Sequence, residues 1–255
     1  MRIYRYLLSK YIFYKQNKNQ KYCKKYVKKN AKLRNLLVYA EEKSGSTGVE
    51  ITDYVLLTEM IKKIRPKFVL ECGTGRSTLV IAQAMMDYCF DLYGDKMKLI
   101  SMENNEEWCN LQLSIIPENF KSFVHVTHSP LDLFQYSFVR GTTYKDIPDF
   151  PYDFVFVDGP NNSFPDKQLP RMCNMSFIQV LLKSKKPVTA VIDKRHNTVL
   201  AYNTLLKPGL VKFNQAWIVG IVDKATKDDL ILLKPAEVKK TLIPSLVENQ
   251  FKRPF

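Results

Sequence analysis

Carboxylates and glycines occur in this sequence directly after short apolar runs, where they are well placed to bind a ligand or accept a proton. These strand-end residues are Glu71 with Gly73 and Gly75, then Glu103, His128, Asp158 and Asp193. In open α/β sheets, ligands bind at the carboxyl ends of the strands. A glycine turn there lets the backbone approach a ligand, and a carboxylate can accept hydrogen bonds from hydroxyl groups or take up a proton.

The first of these groups lies between a predicted strand at residues 68–70 and a predicted helix. The helix has an apolar stripe made of Leu79, Val80, Ile81, Ala84, Met85 and Met86. A strand, a tight glycine turn and a helix form the first unit of a Rossmann-like nucleotide-binding fold, in which the helix N-terminus presents free N–H groups. Glu103 follows Gly75 by 28 positions, at the end of the next predicted strand. Its carboxylate could accept hydrogen bonds from both hydroxyls of a ribose. A carboxylate in this role disfavours a phosphorylated ribose and therefore NADP. The alternative interpretation is that Glu103 is a solvated carboxylate at a strand end.

Strands and helices alternate along the rest of the chain, which predicts an α/β fold with a mainly parallel sheet. Further strands are predicted at residues 98–102, 123–127, 152–157 and 188–192. Helices are predicted at residues 106–115 (with Asn105 as the cap), 171–183 and 198–206, before Pro66, and for a short stretch around residues 131–138. A β-hairpin at residues 217–222 and 230–233 is expected to close the sheet with an antiparallel edge.

Length and composition favour a globular protein in a reducing compartment. The 255 residues fit one domain with short extensions, and 45% of them are hydrophobic. No apolar run approaches the roughly 18 residues that a spanning helix needs, and the first 14 residues do not resemble a signal peptide. The five cysteines are scattered without a Cys-x-x-Cys pair, so we expect neither a disulfide framework nor a zinc cluster, and a cytoplasmic location.

The net charge of +14 is concentrated at the N-terminus. Residues 1–40 contain twelve Lys and Arg and no Asp or Glu, which leaves 27 basic against 25 acidic residues in the remainder. We therefore predict a basic helical arm at residues 1–45, a ligand-binding domain at 46–235 and a tail at 236–255. The arm could contact an anionic membrane, a nucleic acid or an acidic glycan, or it could be a solvated helix. Deletion of residues 1–40 is expected to leave cofactor binding intact.

The motif pattern resembles the class I S-adenosylmethionine-dependent methyltransferases. Their first motif, an acidic residue followed by Gly-x-Gly, matches Glu71, Gly73 and Gly75, although Ser77 stands where a further glycine is common. Their acidic strand ends match Glu103 and Asp158. The resemblance implies a seven-stranded sheet and S-adenosylmethionine as the cofactor. Its predicted ligands are Glu71, Gly73, Gly75, Ser77, Glu103, Asp158 and, beside the adenine, Ser129.

A narrower resemblance concerns the acceptor. Val157-Asp158-Gly159-Pro160, followed by Pro165 and by Arg171-Met172, is similar to the corresponding stretch of glucuronoxylan 4-O-methyltransferases. The segment from Ala190 through Asp193 to Tyr202 is similar in outline. This resemblance implies O-methylation of a sugar, a glycan or another small-molecule hydroxyl.

Catalysis of that reaction needs in-line placement of the acceptor and a base for its proton. The candidate bases are Asp158, Asp193 and His196, and Arg171 or Arg195 could hold an acceptor carboxylate. Asp158 and Asp193 also occupy the strand ends where catechol-type O-methyltransferases bind magnesium. Since Lys194 stands in place of the third oxygen ligand, we expect no metal.

Two other functions remain open. The basic arm would suit a nucleic-acid methyltransferase, but the chain has no Asn/Asp-Pro-Pro-Tyr/Phe segment and no Pro-Cys nucleophile, and its body is nearly neutral. The chain could also keep the fold as a cofactor-binding or interaction protein without catalysis.

Overall fold

Three helices precede the sheet in the structure, a computed structural model that describes residues 2–44, 50–160 and 172–232. They are α1 (Arg2–Lys29), α2 (Ala31–Ser44) and α3 (Ile51–Ile64). The chain turns between α1 and α2 at Asn30, whose side-chain oxygen accepts a hydrogen bond from the amide of Leu33 at 3.0 Å. This bond satisfies one of the amides that the start of α2 leaves without a helical partner.

Seven strands form the main sheet in the order β3-β2-β1-β6-β8-β10-β9. Their bounds are β1 (Phe68–Cys72), β2 (Lys98–Glu103), β3 (Val124–His128), β6 (Phe154–Val157), β8 (Val188–Asp193), β9 (Val211–Asn214) and β10 (Val219–Ala225). All neighbours are parallel except β10, which is antiparallel to both β8 and β9. The chain order reverses between β1 and β6, so their carboxyl ends flank a crevice, the usual ligand position in such sheets.

Helices cover both faces of this sheet. After the glycine turn come α4 (Arg76–Tyr88) and the short α5 (Phe90–Tyr93), and the later helices are α6 (Glu106–Ile115), α7 (Ser176–Lys183) and α8 (His196–Leu205). One apolar core joins α1–α4 to one face, and a second joins α7 and α8 to the other. Burial on both faces explains why β6 and β8 read as continuous apolar runs. The predicted cap of α6 is confirmed, since the Asn105 side chain accepts a hydrogen bond from the Trp108 amide at 2.9 Å.

A small second sheet lies between β3 and α7, where the prediction of a short helix around residues 131–138 is wrong. The sheet consists of β4 (Leu131–Tyr136), β5 (Val139–Tyr144) and β7 (Cys173–Asn174), in that order. β4 and β5 form a hairpin that turns at Ser137, which has a φ of 55°. The β-branched residues of β5 favour a strand, and pairing with it overrides the weak helical pattern of residues 131–138.

The antiparallel hairpin at the sheet edge is confirmed, but its strands lie earlier in the chain than predicted. The predicted first strand, at residues 217–222, falls on β10, which is the second strand of the observed hairpin. The hairpin consists of β9 and β10, and residue 230 forms only an isolated bridge with Leu206. β9 was missed because two of its four residues are exposed, which leaves a weak apolar signal. Residues 227–229 instead form a 3₁₀ turn, in which the Asp229 carboxylate accepts hydrogen bonds from the amide and hydroxyl of Thr226.

The helix predicted at residues 171–183 begins later, at Ser176. The side-chain oxygen of Asn174 accepts a hydrogen bond from the Ser176 amide at 2.8 Å, and Asn174 itself belongs to β7. Arg171 lies outside the described residues.

The N-terminal helices are partly embedded in the body. Five of their side chains are buried in the core shared with α3 and α4, namely Cys23, Val27, Leu33, Leu36 and Ala40. Gln16 and Asn19 donate hydrogen bonds to the carbonyls of Gln215 and Ala216, in the turn between β9 and β10. A solvated helix is therefore the wrong description for the segment from Cys23 onward. The division into arm, domain and tail stays a prediction, and residues 236–255 lie outside the described part.

Candidate functional site

Two glycines bring the loops after β1 and β6 into direct contact at the crevice. Gly73 has a φ of +98°, and a Cβ atom there would lie 2.9 Å from the backbone nitrogen of Gly159. A Cβ atom on Gly159 would in turn lie 2.7 Å from Cα of Gly73. The amides of Asp158 and Gly159 both donate to the carbonyl of Cys72. Neither position tolerates a side chain without movement of backbone, so glycine is required at both.

Glu71 lies beneath this loop and orients it. Its Oε2 atom accepts hydrogen bonds from the hydroxyls of Thr78 and Ser101, each at 2.6 Å. Thr78 in turn accepts a hydrogen bond from the Gly75 amide at 3.1 Å. Burial raises the pKa of Glu71 to about 7, against hydrogen bonds from Ser101, Ser77 and Thr78 that lower it. Within the described chain its second oxygen, Oε1, has no hydrogen-bond partner. The structure thus places Glu71 and the buried Ser77 behind the loop, as supports for its shape.

Glu103 is half-buried at the end of β2 and faces the glycine loop. Its Oε1 atom accepts hydrogen bonds from the amides of Asn104 and Asn105 at 2.8 and 2.9 Å. Its Oε2 atom has only long contacts, 3.4 Å from the amide and 3.3 Å from the hydroxyl of Thr74. One carboxylate oxygen is therefore fixed by backbone, and the other is weakly held.

Ser129 is buried at the end of β3, and its polar atoms serve the backbone. Its amide donates to the Glu103 carbonyl at 2.8 Å, and its hydroxyl accepts from the Asp146 amide at 3.1 Å. His128 beside it is exposed and contacts the carbonyl of Asn104 through Nε2 at 3.3 Å. The structure thus brings six of the predicted residues together at the ends of β1, β2 and β3. We call them the glycine-loop side; they are Glu71, Gly73, Gly75, Ser77, Glu103 and Ser129.

The opposite side of the crevice is a cluster of charges at the ends of β6 and β8. One oxygen of Asp158 lies 3.7 Å from a guanidinium nitrogen of Arg195, which also donates a hydrogen bond to the Pro160 carbonyl at 2.9 Å. Burial raises the pKa of Asp158, although Arg195 and Lys194 oppose the shift. Arg195 thus holds a half-buried carboxylate next to the glycine contact.

Asp193 and Asp53 are the buried members of this cluster. Asp193 is 7% exposed, and its Oδ1 atom has no hydrogen-bond partner within the described chain. Burial raises its pKa to about 7, helped by the charges of Asp53 and Asp158 and opposed by those of Lys194 and Arg195. Asp53 is 1% exposed; its Oδ2 atom accepts from the Glu50 amide, and burial also raises its pKa.

Lys194, in the loop after β8, forms ion pairs with Glu50 and Asp53. Its ammonium lies 3.2 Å from Glu50 and 3.4 Å from Asp53. Burial lowers the pKa of Lys194, but the charges of Asp53, Asp193 and Glu50 outweigh that effect and raise it. We call Asp53, Asp158, Asp193, Lys194 and Arg195 the carboxylate cluster.

His196 is an exposed residue at the start of α8. Its described ring contact is with Phe213 on β9, at 5.2 Å between centroids. The structure therefore gives His196 a packing contact on the sheet edge, and its role as a base stays a prediction.

Within residues 2–44, 50–160 and 172–232, no group of three or more His, Cys, Asp or Glu side chains is arranged to hold a metal ion. Lys194 directs its ammonium toward Glu50 and Asp53. The expectation of a metal-free site stays a prediction.

Asp53 and Tyr54 were not predicted as site residues. Asp53 looks like an ordinary helix-start residue, and it does accept the Glu50 amide as part of a capping box. Tyr54 is buried, and burial raises its pKa to about 12. The charges of Asp53 and Asp158 add to this shift, and Arg76 opposes it. Only the tertiary fold brings Asp53 to Lys194, which lies 141 positions later in the chain. The available signal in the sequence was an acidic residue directly before the apolar run at residues 54–57.

Comparisons with known proteins agree on the fold. The chain matches no protein-family profile and no curated protein sequence. Among solved structures, it is similar to a putative caffeoyl-CoA O-methyltransferase from Staphylococcus aureus (18% identity, TM-score 0.52, covering 81% of this chain and 99% of that one). It is also similar to an S-adenosylhomocysteine-bound methyltransferase from Podospora anserina (10% identity, TM-score 0.50, covering 74% and 88%).

The sheet order, the antiparallel edge and these neighbours show that the chain has the fold of the class I S-adenosylmethionine-dependent methyltransferases. This confirms the predicted fold class. None of the helices in the described part is long and apolar enough to cross a membrane.

Proposed function

We propose that this protein is an S-adenosylmethionine-dependent methyltransferase that methylates a hydroxyl group of a sugar, a glycan or another small molecule. The observation that carries the proposal is the crevice itself. A glycine loop and a strand-end carboxylate form one side, and a charged cluster with a candidate base forms the other. The names of the structural neighbours, an O-methyltransferase and a methyltransferase bound to S-adenosylhomocysteine, support the reaction class.

The glycine-loop side fits the cofactor. The weakly held Oε2 atom of Glu103 is available to ribose hydroxyls, because Oε1 alone already takes both neighbouring amides. Gly73 and Gly75 leave the start of α4 without side chains that would block a ligand, and Glu71, Ser77 and Ser129 maintain the loops around it. When bound, S-adenosylmethionine would supply an electrophilic methyl group.

Asp158 is our candidate for the base. It lies beside the glycine contact, is half-buried, and is held by Arg195. A sugar hydroxyl is a poor acid, so a carboxylate that takes its proton as the oxygen attacks would lower the barrier, typically by 10²–10⁴-fold in rate. The partial burial that raises the pKa of Asp158 makes it a stronger base than an exposed carboxylate.

The rest of the carboxylate cluster suits an acceptor with several hydroxyl groups. Asp193 and Asp53 each have a buried oxygen that accepts no hydrogen bond from the described residues. Hydroxyl groups donate hydrogen bonds, so a polyol could satisfy acceptors of this kind at the crevice. Arg195, and Arg171 beyond the described part, remain candidates to bind an acceptor carboxylate.

The first test is calorimetric titration with S-adenosylmethionine, S-adenosylhomocysteine and NAD. We expect micromolar binding of the first two and none of NAD, with a loss of at least about tenfold in Glu103→Ala because a charge-assisted hydrogen bond contributes about 1.5–3 kcal/mol. Glu107→Ala is the matched control, since Glu107 is an exposed carboxylate in the next turn. The proposal would be contradicted if neither S-adenosylmethionine nor S-adenosylhomocysteine binds.

The second test addresses turnover on a panel of hydroxyl-bearing acceptors. Asp158→Asn should keep S-adenosylhomocysteine binding and lose methyl transfer. Binding without turnover on any acceptor would instead favour a non-catalytic role, and turnover confined to DNA or RNA would favour the nucleic-acid alternative.

A further inference from the structure

The first three turns of α1 carry an uncovered apolar stripe. Large side chains recur there at positions i, i+3, i+4, i+7 and i+10, with exposed fractions between 38% and 70%; they are Tyr4, Leu7, Leu8, Tyr11 and Tyr14. Tyr6 and Phe13 are exposed on the same turns. A concentration of exposed apolar side chains on one short segment indicates an interaction surface, whereas single exposed residues do not.

The attachment of α1 to the body begins only after this stripe. Gln16 and Asn19 are the first residues of the helix with described hydrogen bonds to the body, and Cys23 is the first fully buried residue among the side chains described from Tyr6 onward. Within the described ranges, the core that receives Cys23 and Val27 contains no residue from the first three turns. The body thus holds the helix from Gln16 onward and leaves the stripe uncovered.

The charge of the same segment is entirely positive. Residues 1–40 contain no Asp or Glu, and the described exposed turns carry Lys10, Lys15 and Lys18. The Lys10 ammonium lies 5.5 Å from the ring centroid of Tyr6, and the Lys15 ammonium 4.6 Å from that of Tyr11. Aromatic and aliphatic side chains next to lysines are typical of helices that lie in the interface of an anionic bilayer.

We propose that residues 4–18 of α1 dock on an anionic lipid surface, with the helix lying along the surface and the sheet domain in the aqueous phase. A nucleic acid would match the lysines and could stack on the tyrosines, but it offers nothing apolar to Leu7 and Leu8. A second copy of α1 would cover the stripe, but it would place like charges against each other with no acidic residue in the segment to compensate. Anionic lipid is the one occupant that matches both the stripe and the charge.

The experiment is co-sedimentation of the full chain with vesicles of phosphatidylcholine alone and with about one third phosphatidylserine, at low and high salt. We expect binding only to the anionic vesicles, weakened by salt. Each basic residue near such a surface contributes about 1 kcal/mol, or about fivefold in the partition constant. Lys10→Glu/Lys15→Glu/Lys18→Glu should therefore lose at least about 100-fold in binding.

Two matched controls make the test specific. Lys96→Glu/Lys145→Glu/Lys227→Glu changes the net charge equally at exposed positions on the body and should retain most of the binding. Leu7→Ser/Leu8→Ser/Tyr11→Ser keeps every charge and should still weaken vesicle binding by more than about tenfold, whereas Leu92→Ser/Leu113→Ser, at other exposed leucines, should not. All variants should keep the wild-type unfolding midpoint, because none of these side chains belongs to the buried core.

Three results would overturn the proposal. The first is absence of binding to anionic vesicles. The second is an unchanged affinity in the Leu7/Leu8/Tyr11 variant, which would leave only the electrostatic contact expected for a nucleic acid. The third is a dimer in solution that this variant dissociates, which would assign the stripe to a second copy of the chain.

Discussion

Glu71 and Asp193, on opposite sides of the crevice, both have a pKa raised to about 7 by burial, but different groups compensate them. The hydroxyls of Thr78 and Ser101 donate hydrogen bonds to Glu71, whereas the charges of Lys194 and Arg195 oppose the pKa shift of Asp193. Hydrogen bonds fix a geometry, because they fail beyond a narrow range of distance and angle. Charges act over longer distances and allow rearrangement. Under the proposed function, the glycine-loop side therefore suits a ligand of constant shape, and the carboxylate cluster suits an acceptor to which it can adapt.

The largest effect is expected for Gly73→Ala, which attacks the rigid side directly. The new Cβ would lie 2.9 Å from the Gly159 nitrogen on a backbone with a φ of +98°, so we expect a loss of more than about 3 kcal/mol in unfolding free energy, or loss of S-adenosylhomocysteine binding. Gly94→Ala is the control, since Gly94 also has a positive φ but no atom within 4 Å of its Cβ position. It should lose about 1–3 kcal/mol from backbone strain alone and keep binding. Equal effects would mean that the close approach of the two loops is unimportant.

Glu71→Leu tests whether hydrogen bonds hold the loop. The change leaves the hydroxyls of Thr78 and Ser101 without their buried acceptor, which should destabilise the protein by about 2–3 kcal/mol and weaken cofactor binding. Chemical unfolding and calorimetry measure the two effects. A variant as stable as the wild type, with unchanged affinity, would remove the distinction between the two sides.

Asp193→Asn should increase the unfolding free energy, whereas Glu71→Leu should decrease it. A carboxyl with a pKa of about 7 in the folded state and about 3.9 when unfolded keeps its proton only in the folded protein between these values. It therefore lowers stability progressively as the pH rises from about 4 to about 7, and the penalty is complete above pH 7. The asparagine removes the penalty, so the variant should be more stable than the wild type by on the order of 2 kcal/mol at pH 8 and nearly equal to it at pH 4.

Urea unfolding at the two pH values measures this difference. A gain of equal size at both would show that ionisation of Asp193 is not its cause.

Lys194→Gln should give the smallest effect, about 1 kcal/mol, because its ammonium is partly exposed and one of its partners, Glu50, is mostly solvated. It should also raise the pKa of Asp193, which would shift the pH dependence of stability upward. Lys207→Gln, which breaks the exposed pair with Asp229, is the control and should change stability by less than about 0.5 kcal/mol. Identical behaviour of the two variants would indicate that Lys194 is only a surface charge.

The glycine-loop side could be predicted from sequence because its parts are local. Gly73 and Gly75 follow Glu71 within one turn, and the strand-end position of Glu103 follows from the apolar run before it. The carboxylate cluster was predicted only in part. Asp158 and Asp193 end strands in the same way, but Asp53 reaches Lys194 across 141 positions through helix packing. No pattern along the chain encodes that contact.

The errors in the fold have the same origin. A short helix was predicted around residues 131–138, where β4 lies, because the local spacing there is ambiguous and only pairing with β5 decides it. β9 is a short edge strand with half of its residues exposed, so alternation along the chain gave little signal.

The hydrogen bonds from Gln16 and Asn19 to Gln215 and Ala216 have a consequence for synthesis of the chain. The partners are separated by 199 and 197 positions, so the N-terminal helix emerges from the ribosome long before its binding partner exists. At the usual 5–20 residues per second, this interval is about 10–40 s. During that time, Gln16 and Asn19 lack their hydrogen-bond partners, and Cys23 and Val27 stay exposed until the core that buries them has been made. We therefore expect the nascent helix to be a target for chaperones until the sheet edge is complete.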